Sequence, residues 1–517
     1  MKRLLPLLMT VAFVPLLPAV DSAPETLAPV HRLEGVKAGE GPYEPTWESL
    51  AKYGQAPDWF RDAKFGIWAH WGPQCEPEAG DWYARNMYLP GHWQAQEHRR
   101  RYGHPSETGF KDVIHAWKAE NWDPDRLVAL YKRVGAQYFF AMANHHDNLD
   151  LWGSRHHEWN SVRVGPRKDI VGGWAAAARK HGLRLGLSVH SSHAWNWYEP
   201  AQGADGEGPQ AGVPYDGKLT RADGKGKWWE GLDPRELYAQ DHEPSPGFME
   251  QGTDGRWNWG GGATIPTAEY CRNFYERTMD LVDQFQPELL YFDDTALPLW
   301  PVSDAGLHVA ARYYNGAPGK RVLFGKVLTE NQRRCMTWDI ERGVADKIMP
   351  EPWQTDTCLG SWHYDAGVAS RGEYKSAGEV IHLLADVVSK NGNLLLSVPI
   401  RGDGTIDAQE ERILEEIGAW MAVNGEGILG TRPWREFGEQ KVRYTASKDG
   451  RVLYVIAFER SEKLVLNRLG GVAVEGVTLL GSREAVKWSA TAQALEIPVP
   501  AGAAPSPALV FKLQLRP

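Results

Sequence analysis

Apolar residues in this chain fall into short runs that alternate with amphipathic stretches. The runs Phe65–Ala69, Tyr138–Ala141, Arg184–Ser188, Leu289–Phe292, Val322–Gly325, Lys347–Met349 and Leu394–Val398 predict buried strands. Between them Pro124–Arg133, Trp174–His181, Ala268–Gln286, Ser303–Asn315, Glu379–Ser389 and Ala408–Val423 predict helices. Asp123-Pro124 reads as an N-cap followed by proline at the first helical position, and Lys180-His181-Gly182 as a helix end. Strand and helix alternating over this length predict a parallel sheet, and the number of repeats favours a (β/α)8 (TIM) barrel over residues 47–430.

Two stretches break the rhythm. Residues 198–263 are rich in Gly, Asp and Pro, with aromatic islands at Trp228-Trp229 and Trp257-Asn258-Trp259. A loop this long is expected to be functional, here as one wall of a pocket, or to be a solvated insertion. Beyond Gly430 the runs Tyr444–Ser447, Val452–Ala457, Leu464–Leu466, Val477–Leu479, Ala494–Ile497 and Ala508–Leu513 are separated by Gly, Asp or Pro. They predict a C-terminal antiparallel β-sandwich over 431–517.

The first 23 residues read as an export leader. Lys2 and Arg3 precede an apolar, proline-interrupted Leu4–Val20, with small residues at Ser22 and Ala23. No later stretch is long enough to span a bilayer, so a periplasmic or secreted protein is expected. The net charge of -9 and the absence of a basic run argue against nucleic acid or acidic membranes as partners. Cys75, Cys271, Cys335 and Cys358 are dispersed, with no zinc spacing and room for one disulfide. The 24 Trp outnumber the 14 Phe, which fits either a Trp-rich core or a sugar site built on indole faces.

Polar clusters follow the predicted strand ends: His70-Trp71 with Asp81-Trp82-Tyr83, Asn144-His145-His146-Asp147, His190 to Trp197, and Asp293-Asp294. In a barrel all four converge on one face. No HExxH and no GxSxG is present, so neither a metal nor a cofactor nor a serine nucleophile is expected. A carboxylate ending an apolar strand inside an aromatic, hydroxyl-binding pocket suits displacement at an anomeric carbon.

Several motifs resemble those of the family 29 glycoside hydrolases, the alpha-L-fucosidases. They are Trp59-Phe60 with Asp62-Ala63-Lys64-Phe65-Gly66-Ile67 and His70-Trp71-Gly72-Pro73, then His145-His146-Asp147, then Pro287 to Asp293, then Val388 to Leu396, continued by Asp403-Gly404-Thr405-Ile406 and Thr431-Arg432-Pro433-Trp434. The resemblance implies an exo-acting retaining hydrolase of fucosylated glycans with Asp293 as nucleophile. It implies a fucose site lined by His70, Asp81, Trp82, His145 and His146, with Tyr291 as an aromatic wall and Asp294 as a tuning neighbour. Some members carry the acid/base as glutamate after a tryptophan, where this chain has Trp353-Gln354. Glu341 in Trp338-Asp339-Ile340-Glu341-Arg342 is then the first choice, with Glu351 and Asp356 in reserve. Trp353 and Trp362 are candidates for pocket lining or for barrel packing. The alternatives are a glycan-binding protein that has lost catalysis, motivated by Gln354, and a glycosidase of different sugar specificity.

Overall fold

The computed structural model describes residues 28–53, 56–240, 242–250, 259, 262–327 and 329–516. The expected leader, 1–23, lies outside the described residues. Eight parallel strands close into a barrel in sequence order: β1 Phe65–Ala69, β2 Tyr138–Asn144, β3 Arg184–Val189, β4 Leu289–Phe292, β5 Val322–Gly325, β6 Thr337–Glu341, β7 Trp353–Cys358 and β8 Gly392–Ser397. The circle closes where Phe65 to Trp68 of β1 register with Leu394 to Ser397 of β8.

Both faces of these strands are buried, one against helices and one against the barrel interior, so most read as continuous apolar runs. Alternation decides which side chain goes where. Inside, Phe60, Trp68, Tyr138, Phe140, Leu289, Tyr291, Val322, Phe324 and Leu395 form one cluster. Two glycines make room for it. A Cβ on Gly66 would meet the Tyr138 ring at 2.2 Å, and one on Gly186 would meet the Phe140 ring at 2.6 Å.

All six predicted helices are present. Asp123 accepts from the amide of Arg126 at 3.0 Å, as its capping position requires. The predicted strand Lys347–Met349 is not one. It lies in the connection between β6 and β7, two strands whose inward residues are polar and which therefore lack an apolar signature. The abundant tryptophan serves largely as core: Trp71, Trp117, Trp152, Trp159 and Trp174 are fully buried. The four cysteines are buried and free. Among the described residues no helix is long and apolar enough to cross a membrane.

The described part of the 198–263 insertion is anchored at buried points, with exposed stretches between them. Asp216 is buried and accepts from Tyr88 at 2.7 Å, Tyr238 at 2.5 Å and Lys111 at 3.1 Å, which fastens the insertion to the loop after β1. Trp229 is 1% exposed. After the barrel come β9 Arg432–Glu439, β10 Val442–Ala446, β11 Val452–Ala457, β12 Lys463–Leu466, β13 Val474–Leu479, β14 Ser489–Ala490, β15 Leu495–Pro498 and β16 Leu509–Leu515. They form a five-stranded sheet, β13-β16-β11-β10-β9, and a three-stranded sheet, β12-β15-β14, both antiparallel. Tyr444, Val455, Leu466, Ile497 and Phe511 share their core. Arg443 pairs with Asp386 at 2.5 Å, and Trp420 donates to the carbonyl of Ala508 at 2.9 Å, joining this region to the barrel helices.

Candidate functional site

The interior positions continue in steps of two, past the ends of β1, β3, β4 and β5 and within β6 and β7. Trp68 is followed by His70, Ser188 by His190, Tyr291 by Asp293, and Phe324 by Lys326. Asp339 is followed by Glu341, and Gln354 by Asp356. Six of the eight strands thus raise one polar side chain above a filled floor, toward the C-terminal mouth where barrel sites form.

Lys326, at the end of β5, sits at the centre. Its ammonium contacts Asp293 Oδ1 and pairs with Glu341 Oε2 at 2.5 Å. Two oxygens that contact one nitrogen are held within about 5–6 Å of each other. Burial is the largest single influence and would raise the Asp293 carboxyl, but the Lys326 charge, together with His146 and His190, outweighs it and holds the group well below the usual carboxylate range. Sequence reasoning did not single out Lys326, although the two-residue step beyond Phe324 points to it.

Two histidines, His146 and His190, stand beside Asp293, and His70 and His145 pack against His190. Gln74 Oε1 accepts from the amide of Ala84 at 3.3 Å, which turns its amide nitrogen toward His145 Nδ1 at 2.9 Å. His145 therefore carries its proton on Nε2 and presents a donor. His146 does the opposite. Its Nδ1 donates to the carbonyl of His190 at 2.8 Å, leaving Nε2 as an acceptor, 3.5 Å from Asp293 Oδ2. Burial lowers His146 to about 4 and holds His70 and His145 well below the ordinary value, so all three are neutral near pH 7. His190 Nδ1 lies 3.4 Å from Asp293 Oδ2. A neutral donor beside a neutral acceptor suits neighbouring sugar hydroxyls, each of which both gives and takes a hydrogen bond.

The same nitrogens are near enough for a cation: one ligand atom each from His70, His145 and His190 lie within 4.8 Å of one another, as do those of His146, His190 and Asp293. The proton that Gln74 fixes on His145 Nε2 works against ligation by the first trio.

The remaining predicted residues divide. His70 packs against Trp68, His145, His190 and Trp362 at ring separations of 4.9–5.6 Å. Trp362 also lies under the Arg342 guanidinium at 5.0 Å. Asp81 accepts from the backbone amide of His363 at 2.7 Å and of Trp362 at 3.4 Å, so it shapes the loop carrying Trp362. Burial would raise its carboxyl, but these bonds and His363 hold it low. Trp82, half-buried, meets Trp197 edge to face at 6.3 Å, and Trp197 in turn faces His145 and His146. Asp294 points away from Asp293 to Ser192 Oγ at 3.0 Å and His193 at 2.9 Å. Tyr291 is fully buried, so it forms the floor and not an open wall; its hydroxyl donates to Asp356 at 3.2 Å.

Three expectations need correction. Trp353 points outward from β7, packs with Ala345 and Val387, and donates to the carbonyl of Lys390 at 2.9 Å, so it packs the barrel and does not line the pocket. Glu351 is exposed two residues before β7 begins, at the opposite mouth of the barrel. Gln354 is an interior strut. Its amide nitrogen donates to Asp339 at 2.9 Å and its oxygen accepts from Tyr138 at 2.9 Å, so it gives no support to a loss of catalysis. Asp356 is buried beneath Lys326. Burial first, opposed by Lys326 and reinforced by Glu341 and Asp293, lifts it to about 7, and Asp339 beside it is raised well above its usual value. Two adjacent buried carboxyls cannot both ionise, so this pair keeps a proton at neutral pH.

Comparison with known proteins fits this geometry. A family model described as Alpha-L-fucosidase matches residues 33–426. Tissue alpha-L-fucosidase of Bos taurus is 27% identical over 470 residues, 86% of this chain and 84% of that one. Plasma alpha-L-fucosidase of Homo sapiens is 26% identical over 471 residues, 86% of each chain. The crystal structure of Thermotoga maritima alpha-fucosidase in complex with fucose superposes with a TM-score of 0.68 at 26% identity, covering 91% of this chain and all (100%) of that one. The matched segment spans the whole barrel, and the chain belongs to the alpha-L-fucosidase family of glycoside hydrolases.

Proposed function

We propose that the chain is an exported, exo-acting retaining alpha-L-fucosidase that removes terminal fucosyl residues from glycans. The observation that carries this reading is the pairing of Asp293 and Glu341 on one ammonium. It brings the carboxylates close to the ~5–5.5 Å separation of retaining glycosidases and short of the ~6.5–9.5 Å that inverting ones need for a water. Asp293 attacks C1 as the C1–O bond to the aglycone breaks, and Glu341 gives its proton to the departing oxygen. Water then gives a proton to Glu341 and its oxygen to C1, freeing Asp293 and fucose. Lys326 keeps Asp293 ionised before attack. When the glycosidic oxygen enters between the carboxyls, it takes the lysine's place at Glu341. The His145 donor and His146 acceptor grip hydroxyls, and Trp362 and Trp82 present aromatic surface to the sugar and its methyl group. The charged and then apolar N-terminus supports export.

Azide separates the two roles. On an aryl alpha-L-fucoside with a good leaving group, Asp293→Ala should be inactive alone and yield the beta-fucosyl azide when azide is added. Glu341→Ala should yield the alpha-fucosyl azide. Intact turnover in Asp293→Ala refutes the nucleophile. A second reading has Asp356 as the acid, favoured by its proton retention near pH 7. Azide rescue in Asp356→Ala, with none in Glu341→Ala, would establish it.

A further inference from the structure

Away from the catalytic mouth, a cavity of about 450 Å³ lies among the loops that follow β1, β2 and β3. Its wall combines His115 and Lys118, Arg163 and Arg167, and Trp228 and Glu230 from the 198–263 insertion. It is large enough for a sugar unit, within the ~300–1,000 Å³ range of small-molecule sites.

The loop 163–167 is held in a fixed shape. Gly165 has φ +62°, and a Cβ there would meet the carbonyl oxygen of Ile114 at 2.7 Å. Val164 is buried, and Ser161 accepts from the amide of Lys168 through its carbonyl at 2.9 Å. Arg163 and Arg167 therefore project from a braced turn into one space. Arg163 spends one amino group on Glu158 at 3.0 Å and keeps its other donors. Arg167 forms no ion pair among the described residues, while Lys118 donates to the carbonyl of His115 and its charge also acts on Glu76. The opposing acid, Glu230, accepts from the amide of Gly226 at 3.1 Å. His115 stacks on Trp228 at 4.2 Å, and Asp112 holds the indole N–H at 2.8 Å. Burial first, then the charges of Lys118 and Arg167 against the opposing pull of Asp112, lower His115, so both cations act on the same point.

We propose that this cavity binds an anionic sugar unit, a sulfate ester or a uronate, in the part of the glycan beyond the cleaved fucose. Arginine forks grip either oxyanion in a bidentate manner, and the indole supplies an apolar edge for the ring. The proposal rests on the reading of the chain as a glycan-cleaving enzyme, but its test does not use turnover as the main readout.

Isothermal titration calorimetry of the full chain with N-acetylglucosamine 6-sulfate, glucuronate and neutral N-acetylglucosamine reads the site. At least one anionic sugar should bind ten times or more tightly than the neutral one. The better of the two identifies the oxyanion. In the double variant Arg163→Ala/Arg167→Ala that binding should weaken at least tenfold, while aryl fucoside hydrolysis stays at the wild-type rate. Saturating L-fucose should not displace the anionic sugar. Equal binding of the neutral sugar, unchanged affinity in the double variant, displacement by L-fucose, or inorganic sulfate binding as tightly as the sugar would each overturn the proposal. Anionic-sugar binding without fucoside hydrolysis would overturn the functional reading and leave this site standing.

Discussion

Removing the shared ammonium gives the most direct test of the electrostatics at the mouth. In Lys326→Met the aliphatic stem stays and the charge goes. Opposite unit charges ~4 Å apart at an effective dielectric of ~20 attract by ~4 kcal/mol, equivalent to ~3 pKa units. Solvent reaches this pair, since the Lys326 and Asp293 side chains are 22% and 19% exposed. Halving the attraction leaves an upward shift of about 1–2 units for Asp293. Burial, which already pushes the carboxyl upward, then acts unopposed by the largest favourable charge. The assay is kcat/KM for an aryl alpha-L-fucoside from pH 3 to 9, which reports ionisations of the free enzyme. The acid limb should move up by about 1–2 units, with the melting temperature recorded alongside to establish folding. An acid limb that stays in place in a folded, active variant would refute the assignment of Lys326 as the group that keeps Asp293 ionised.

Asp356→Asn tests the buried pair. A carboxyl raised in the folded state contributes stability that is full below its unfolded value of 3.8 and lost as pH climbs to about 7, so the variant should gain melting temperature relative to wild type between pH 5 and 8; parallel curves would count against the pair. Arg277 pairs with Asp150 at 2.6 Å with both side chains almost fully buried, and Arg277→Leu strands that carboxylate, so denaturant unfolding should show a loss of about 3–5 kcal/mol; a loss under ~1 kcal/mol would contradict this. Asp81→Ala releases the amides of Trp362 and His363, and with ~1.5–3 kcal/mol in such charge-assisted bonds KM for the aryl fucoside should rise about tenfold while kcat changes little; an unchanged KM would show that Asp81 does not shape the sugar pocket.

Legibility in the sequence followed the chemistry of the barrel interior. β1, β4 and β5 are apolar on both faces, and their bounds are those the hydrophobic pattern predicts. β6 and β7 carry Thr337, Asp339 and Glu341, and Gln354 and Asp356, on the inward side, so no apolar run announces them. The acid-rich segment Trp338–Arg342, absent from the predicted strands, is barrel wall through Glu341. Glu351 illustrates a related error, because nearness in sequence to Trp353-Gln354 hides the chain's return to the far mouth before β7 starts. Trp353 was ambiguous until its register opposite Gly392 showed which way it points. Asp293, His70, His145 and His146 were legible because each follows an apolar strand without interruption. Lys326 follows the same rule but lacks a striking neighbour. The tautomers of His145 and His146 depend on Gln74 and the His190 carbonyl, contacts that no linear pattern encodes.

The two-residue step that raises each polar side chain above its floor has an evolutionary consequence. Exchanging one of these side chains costs the backbone nothing, so charge and size at the mouth are limited by the chemistry they serve and not by the fold. Adding or deleting one residue within a strand is a different event, because it turns that strand's inward set outward at once. Divergence in this lineage should therefore be written as substitutions up to the last inward residue of each strand and as length changes only after it. The long segment 198–263 lies beyond the last inward residue of β3, where added length leaves the strand register intact.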